Sequence, residues 1–225
     1  MRLGVISDVH GNRVALEAVL DDMPAVDRLV CAGDVVGYNP WPAGCVAVVR
    51  ERSIPTVMGN HDRAVAGETP VQFNSMAAAG VDYAREQLAD DGLAWLADLP
   101  SERAVAGGRV KLVHGHPDDP DRYTYPEEFS PRMLRGEDLL VTGHTHVQGH
   151  RVFDEGVVMN PGSVGQPRDG DPKSGYAVVE LSEGSGGDAV TVEERRVAYD
   201  VDEVVTAVEE AGLPARIGTR LYEGR

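Results

Sequence analysis

Short apolar runs divide this chain of 225 residues, and five of them end at side chains that can bind a metal ion. The side chains at or just beyond these ends are Asp8, His10, Asp34, Asn60, His61, His114, His144 and His146. Because the carboxyl ends of parallel strands meet along one edge of a sheet, we expect these groups to line one crevice. Singly, each has an ordinary structural role, such as a helix cap or a turn residue. Five such endings together favour a binding site.

The first three runs alternate with segments of helical periodicity. We predict strands over residues 2–7, 27–32 and 54–58 and helices over residues 13–22 and 40–52. This β-α-β-α-β order is typical of a parallel sheet with right-handed crossovers. Further along, we predict helices over residues 74–88 and 91–99 and strands over residues 109–113 and 138–142.

The last third of the chain changes to hairpins. Residues 151–153 and 157–159 form one predicted hairpin, residues 176–181 and 189–197 form another, and a helix over residues 201–211 follows. Residues 115–136 are irregular and too long for a simple connector, which is typical of a functional loop. With no internal repeat and no domain linker, we expect a single domain over residues 1–225.

Charge and composition exclude several classes of protein. The net charge of −16 argues against general nucleic-acid binding, because the phosphate backbone would be repelled. Cys31 and Cys45 are too few for a disulfide framework. The first apolar run is too short for a signal peptide, and no run approaches the roughly 20 residues of a membrane-spanning helix. We therefore expect a soluble cytoplasmic protein.

The basic residues are strongly biased toward arginine. Lys111 and Lys173 are the only lysines, and the other basic residues are arginines. An acidic, lysine-poor surface suits a salt-rich cytoplasm, where self-repulsion is screened. Biased base composition in an ordinary acidic protein is the alternative.

The stretch Gly143-His144-Thr145-His146 follows the run at residues 138–142. In an extended chain alternate side chains point the same way, so we predict that His144 and His146 reach toward one point. Imidazole suits a borderline-soft divalent metal. The combined nitrogen and oxygen donors, without thiolate, are compatible with Mn, Fe, Zn, Ni or Co.

The set of motifs resembles the calcineurin-like metallophosphoesterase superfamily. The matching motifs are Asp8-x-His10, Gly33-Asp34, Gly59-Asn60-His61-Asp62, His114-Gly115 and Gly143-His144-x-His146. Asn160-Pro161-Gly162-Ser163 and Gln166-Pro167-Arg168 continue the resemblance toward the small, single-domain bacterial and archaeal phosphodiesterase-like branch. The resemblance implies an α/β (α+β) fold, a four-layer αββα sandwich of two mixed β-sheets flanked by helices.

The resemblance also implies two divalent metal ions, with manganese favoured, and a small phosphorylated substrate. One ion would be bound by Asp8, His10, Asp34 and His146, and the other by Asp34, Asn60, His114 and His144. Asp34 would bridge them, and a hydroxide between the two ions would attack a phosphodiester. His61 would hydrogen-bond the phosphate or protonate the leaving oxygen, for which an ordinary imidazole pKa near 6.5 is suitable. Asp62 would orient His61 or cap a helix.

The chain departs from the family at one position that bears on function. Val35, Val36 and Gly37 follow Asp34, where many members carry a second carboxylate three residues on, which argues against a protein serine/threonine phosphatase. Arg168 is the candidate for a substrate-binding arginine, with a surface position as the alternative. We expect His116 and His150 outside the centre. Tyr38, Tyr123 and Tyr125 would either wall the substrate or pack in the interior.

Three other functions stay open at this stage. A phosphomonoesterase of the nucleotidase kind would use the same residues, and a nuclease is disfavoured by the net charge. A catalytically silent scaffold of the same fold would be expected to lose ligands that this chain retains. Exposed edge strands near the C-terminus would allow a homo-oligomer.

Overall fold

The computed structural model, which describes residues 1–67 and 73–225, contains two mixed β-sheets. The first sheet has the order β2 (Arg28–Cys31), β1 (Arg2–Ile6), β8 (Ser174–Leu181) and β9 (Val190–Val197). Strand β1 pairs parallel with β2 and antiparallel with β8, and β8 pairs antiparallel with β9. The N-terminal strand is therefore interior to its sheet.

The second sheet has the order β3 (Glu102–Val105), β4 (Val110–Val113), β5 (Leu139–Val141), β7 (Gly156–Asn160) and β6 (Gly149–Phe153). Its three inner strands are parallel, and β3 and β6 are antiparallel at the two edges. The predicted architecture of two mixed sheets is confirmed, as are both predicted hairpins.

Alternation along the strands places the two sheets face to face. Leu3 and Val5 of β1 belong to a buried cluster that includes Leu112 and Val141 of the second sheet, whereas Ile6 faces a cluster of helical residues. This period of two is the pattern of a strand that is buried on both faces. The outer face of the second sheet is covered by Phe129, in the segment that links β4 to β5.

Seven helices surround the sheets in the described part of the chain: α1 (Arg13–Asp22), α2 (Pro42–Glu51), α3 (Asn60–Ala66), α4 (Ser75–Gln87), α5 (Asp90–Ala97), α6 (Val201–Glu210) and α7 (Arg216–Thr219). A 3-10 turn, Arg220–Glu223, directly follows α7. Asn12 caps α1, because its side chain accepts a hydrogen bond from the backbone N–H of Ala15. Within residues 1–67 and 73–225, no helix has both the length and the apolar character needed to cross a membrane.

The predicted strand over residues 54–58 is wrong. Only Thr56 pairs there, as an isolated bridge to Cys31, because Pro55 lacks the N–H that a continuous ladder requires. Strand β3 and helices α3 and α7 were not predicted. Exposed residues dominate β3, so it lacks the apolar alternation that marks a strand. Residues 115–136 are irregular apart from two 3-10 turns, Pro126–Glu128 and Pro131–Met133.

Candidate metal centre

The predicted ligands come together as two adjoining groups. Asp8, His10 and His146 form one, and Asp34, His114 and His144 form the other; in each, one potential ligand atom per residue lies within 4.8 Å of the rest. Between them, His10 and Asp34 form a third such group with His61. Asn60 joins the second group, because its Oδ1 lies 3.1 Å from His114 Nε2. All seven residues predicted as ligands therefore border one centre.

The centre lies where the ends of both sheets meet. Asp8 and Asp34 follow β1 and β2 of the first sheet, whereas His114 and His144 follow β4 and β5 of the second. The expectation that one parallel sheet supplies the whole crevice is therefore wrong. Each sheet contributes to both groups of ligands, so the face-to-face packing of the sheets sets the geometry of the centre.

The backbone at the centre is strained. Eight non-glycine residues in the described chain have φ between 49° and 67°, and five of them are predicted ligands: Asp8, His10, Asp34, His144 and His146. Such a conformation costs about 1–3 kcal/mol per residue and persists where the surrounding fold enforces it. The prediction that His144 and His146 lie in an extended chain is therefore wrong. Their imidazoles enter different ligand groups.

Each of the four ligand imidazoles is anchored by a backbone carbonyl. His10 Nδ1 lies 3.2 Å from Val36 O, and His146 Nδ1 lies 2.6 Å from Gln166 O. His114 Nδ1 lies 2.8 Å from Ala32 O, and His144 Nε2 lies 3.2 Å from Asp121 O. Since a carbonyl can only accept, the anchored nitrogen carries the hydrogen. In the neutral form of each imidazole the other nitrogen presents its lone pair to the centre, as a metal ligand must.

The free lone pairs converge on the two carboxylates. His10 Nε2 and His146 Nε2 are 3.0 Å apart, and Asp8 Oδ1 lies 3.2 Å from His146 Nε2. Asp34 Oδ2 lies 3.6 Å from His10 Nε2 and 3.3 Å from His114 Nε2, so one oxygen faces both groups. Lone pairs at these separations repel unless a cation lies between them. The donor set therefore fits the binding of divalent metal, with Asp34 facing both groups.

The protonation states suit metal binding. Burial lowers the pKa of His10 and His146, and it lowers the pKa of His144 to about 4. Burial would raise the pKa of Asp34, but the charges of His114, His61 and His10 and the hydrogen bond to His114 together outweigh it and hold that pKa well below its usual range. For His114, burial opposes protonation, yet the attraction of Asp34 raises its pKa to about 10. Metal binding must displace that proton.

His61 differs from the four anchored histidines. Within residues 1–67 and 73–225, neither of its ring nitrogens has a hydrogen-bond partner. Nδ1 is buried against Gly37, where a Cβ would lie 2.5 Å from it, and this leaves Nε2 as the available nitrogen. Its backbone N–H donates to Asp34 Oδ1 at 2.8 Å. Burial lowers the pKa of His61 to about 4, so the expected ordinary imidazole pKa is wrong.

Asp62 braces the loops rather than the His61 ring. Its Oδ1 accepts hydrogen bonds from the N–H groups of Val35 at 2.9 Å and Val36 at 3.2 Å, and its Oδ2 accepts from Gly59 N at 3.0 Å. The second of these contacts reaches the residue whose carbonyl anchors His10. Of the two expected roles, the structure supports the helix-capping one, extended here to the loop that follows Asp34.

Arg168 borders the centre. Its Nη2 donates to Tyr38 Oη at 3.3 Å and to Gln166 Oε1 at 2.7 Å, and Cζ lies 5.8 Å from the Tyr38 ring centroid. Tyr38 is buried, with its ring 4.7 Å from that of His61. After burial, the charge of Arg168 is the next largest cause that lowers the pKa of His146. Arg168 is therefore not a remote surface residue.

An exposed aromatic pair borders the centre beside His144. The Tyr123 ring lies 4.0 Å from the His144 ring and stacks on Tyr125 at 6.5 Å. Both side chains are substantially solvent-exposed, 49% for Tyr123 and 39% for Tyr125. His116 instead accepts from Asp118 N at 3.1 Å, and His150 pairs with Glu194 at 2.6 Å on the hairpin side. These two histidines lie outside both ligand groups, as predicted.

Two residues that hold the ligand loops were not predicted. Asn160 Nδ2 donates to Gly143 O at 2.7 Å and to Thr145 Oγ1 at 2.9 Å. Ser163 Oγ donates to Asp8 O at 2.7 Å. The resemblance includes the motif Asn160-Pro161-Gly162-Ser163 but gave neither residue a role, although a polar turn directly after a buried strand was the available signal.

Comparison with known proteins places the chain among phosphoesterases. The model of the calcineurin-like phosphoesterase superfamily domain matches residues 1–184. An uncharacterized protein of Methanocaldococcus jannaschii is 32% identical over 245 residues, covering 99% of this chain and 98% of that protein. Phosphodiesterase YfcE of Escherichia coli K12 is 30% identical over 186 residues, which cover 77% of this chain and 85% of that protein. A metallophosphoesterase from Sphaerobacter thermophilus, known from its crystal structure, is 36% identical in sequence and superposes with a TM-score of 0.83. The match covers 100% of this chain and 99% of that chain.

Proposed function

This chain belongs to the calcineurin-like phosphoesterase superfamily, and from that membership we propose that it is a dinuclear metal-dependent phosphoesterase that hydrolyses phosphodiesters. One observation carries the proposal. Four imidazoles are anchored by carbonyls with their free nitrogens toward Asp8 and Asp34, while His61 stands beside them unanchored. From that arrangement we infer that the four anchored histidines hold metal and that His61 meets the substrate.

The two groups would each hold one divalent ion. Asp8, His10, Asp34 and His146 would hold the first, and Asp34, Asn60, His114 and His144 the second. When bound, such ions act as Lewis acids on the phosphoryl group and lower the pKa of water. Manganese is the first ion to test, since the donors include no thiolate.

His61 would bind the phosphate. Its free Nε2 is next to Asp34 and His10, so a phosphoryl group seated on the centre would come within its reach. As a neutral imidazole it would donate one hydrogen bond to a non-bridging or leaving oxygen. Arg168, which donates hydrogen bonds to Tyr38 and Gln166, would add positive charge next to His61.

The preference for diesters has two supports. One relative is named a phosphodiesterase, at 30% identity over 77% of this chain. The exposed rings of Tyr123 and Tyr125 also offer an apolar surface next to His144 for the second esterified group. A phosphomonoester has no such second group to place there.

The test compares bis-p-nitrophenyl phosphate with p-nitrophenyl phosphate on metal-stripped protein titrated with Mn²⁺, in low salt and in molar KCl. We expect metal-dependent hydrolysis with the diester preferred. His61→Gln should retain metal and lose about 100-fold or more in kcat. Preference for the monoester would mean that the protein is a phosphomonoesterase and not a phosphodiesterase. Fully loaded protein without turnover of either compound would contradict the proposal and favour a silent scaffold.

A further inference from the structure

A cavity of about 470 Å³ lies at the C-terminal segment and is lined by three arginines, Arg216, Arg220 and Arg225. Its other lining residues include Asn74 and Glu223. This concentration of positive charge occurs in a protein with 37 acidic and 21 basic side chains. The cavity is therefore a cationic exception on an acidic molecule.

Two of these arginines are held close together. The N–H of Arg220 bonds to Arg216 O, so the two residues are one helical turn apart and share a face. Like charges at that spacing repel. Arg220 Nε donates to Arg225 O, and Glu223 pairs with Arg225 at 3.1 Å, so within residues 1–67 and 73–225 neither Arg216 nor Arg220 pairs with an Asp or Glu side chain. A bound anion would relieve the repulsion.

The same segment reaches the metal centre. Ile217 and Leu221 pack in one buried cluster with Tyr38, whose ring lies 4.7 Å from that of His61. Gly170 N donates to Gly224 O at 3.0 Å, which ties the Arg168 loop to the segment. Burial and then the nearby charge of Arg168 lower the pKa of Arg220. Arg220 of the cavity thus lies near Arg168 and Tyr38, which border the centre.

We propose that Arg216 and Arg220 form a second anion site, which binds a phosphate group that the substrate carries in addition to the ester that is cleaved. The proposal rests on the proposed function and specifies its substrate class: phosphodiesters that bear a further phosphate, such as nucleotide esters. Guanidinium groups bind phosphate through paired charge-assisted hydrogen bonds. The segment lies beyond residue 184, where the match to the family domain ends, so this site is an addition to that domain.

The test uses two chromogenic diesters that differ in one phosphate. Thymidine 5′-(p-nitrophenyl phosphate) and its 3′-phosphorylated derivative are compared on the Mn²⁺-loaded protein. The wild type should cleave the 3′-phosphorylated compound with a kcat/KM about 10-fold higher, as expected for a charge-assisted contact. Arg216→Gln with Arg220→Gln should reduce that ratio to about one while changing kcat/KM for the simple diester less than about 2-fold.

Two further variants control the interpretation. Arg103→Gln removes an equally exposed charge from edge strand β3 and should keep the wild-type ratio. Arg216→Gln alone addresses misfolding of the double variant, because Arg216 is exposed, and it should lower the ratio at least about 3-fold. An unchanged ratio in both arginine variants would overturn the proposal.

A binding measurement separates this proposal from the proposed function. If neither diester is hydrolysed by the metal-loaded protein, the proposed function fails, and calorimetry with thymidine 3′,5′-bisphosphate and thymidine 5′-monophosphate decides the anion site. Tighter binding of the bisphosphate that Arg216→Gln with Arg220→Gln abolishes would support the site. Equal affinities in the wild type would overturn it.

Discussion

Replacing Asp34 by Asn tests whether one carboxylate serves both metal ions. Asp34 Oδ2 lies 3.6 Å from His10 Nε2 and 3.3 Å from His114 Nε2, whereas Asp8 belongs to one ligand group only. Asn keeps the shape of the side chain and removes its charge. We therefore expect Asp34→Asn to lose both ions and all metal-dependent hydrolysis.

The magnitude follows from the distances. An ion bound by His10 or His114 would lie within about 4 Å of Asp34 Oδ2, and a unit charge at that separation contributes about 4 kcal/mol at an effective dielectric constant of about 20. A loss of about 4 kcal/mol corresponds to about a 1,000-fold weaker affinity for each ion. Micromolar Mn²⁺ binding would become millimolar.

The assay is equilibrium dialysis against Mn²⁺ followed by elemental analysis. The wild type should retain two ions per chain and Asp34→Asn none, while His146→Gln and His144→Gln, each altered in one ligand group, should retain one. An ion at 100 times its Kd stabilises the fold by about 2.7 kcal/mol, so chelation should lower the wild-type Tm by about 5–10 °C per ion. Asp34→Asn should show no such shift.

Asp138→Asn is the matched control. Asp138 is another buried carboxylate, but it accepts hydrogen bonds from Arg109 Nε and Gly186 N, away from the ligand groups. It should cost stability and leave both ions bound. If Asp34→Asn bound two ions with wild-type affinity, the bridging assignment would be refuted, and retention of one ion would restrict Asp34 to a single site.

Three further predictions concern the aromatic pair, a glycine and the net charge. Tyr123→Ala should raise KM for aryl or nucleotide diesters about 5- to 10-fold with kcat nearly unchanged, because ring stacking contributes about 1–3 kcal/mol. The control in steady-state kinetics is Tyr222→Ala, because Tyr222 is also 49% exposed. Equal effects of the two substitutions would refute stacking. Gly143→Ala should weaken metal binding in the dialysis assay, since its Cβ would clash with Ser7 Oγ and lie 2.8 Å from Asp8 Oδ2, and undiminished occupancy would contradict this packing. With a net charge of −16, the Tm measured by calorimetry should rise between low salt and molar KCl, and a constant Tm would count against adaptation to a salt-rich cytoplasm.

The ligand set was predictable because the relevant signal is local. Apolar runs that stop before Asp8, Asp34, His114 and His144 indicate both a strand and the end of the strand that carries a functional side chain. In the structure each of these strands ends shortly before that side chain. The two-sheet architecture came from the family resemblance and not from periodicity, since the parallel pattern at the start of the chain indicated one sheet only.

The division of ligands could not be obtained from alternation. His144 and His146 adopt left-handed backbone conformations, so the period of two does not apply to them. Their orientation depends on the carbonyls of Asp121 and Gln166, which are 23 and 20 residues away along the chain. Such contacts are set by tertiary packing, and a sequence window that covers one strand holds no record of them.

The interior position of β1 has a consequence for the biogenesis of the centre. Asp8 and His10 are synthesised before Ser163 and Gly165, which bond to the Asp8 carbonyl, and before β8, which completes the sheet beside β1. The nascent chain therefore carries these two predicted ligands long before the groups that brace them. We expect a metal ion to be bound only after translation has passed β8 (Ser174–Leu181), because until then Asp8 and His10 lie in an unbraced segment.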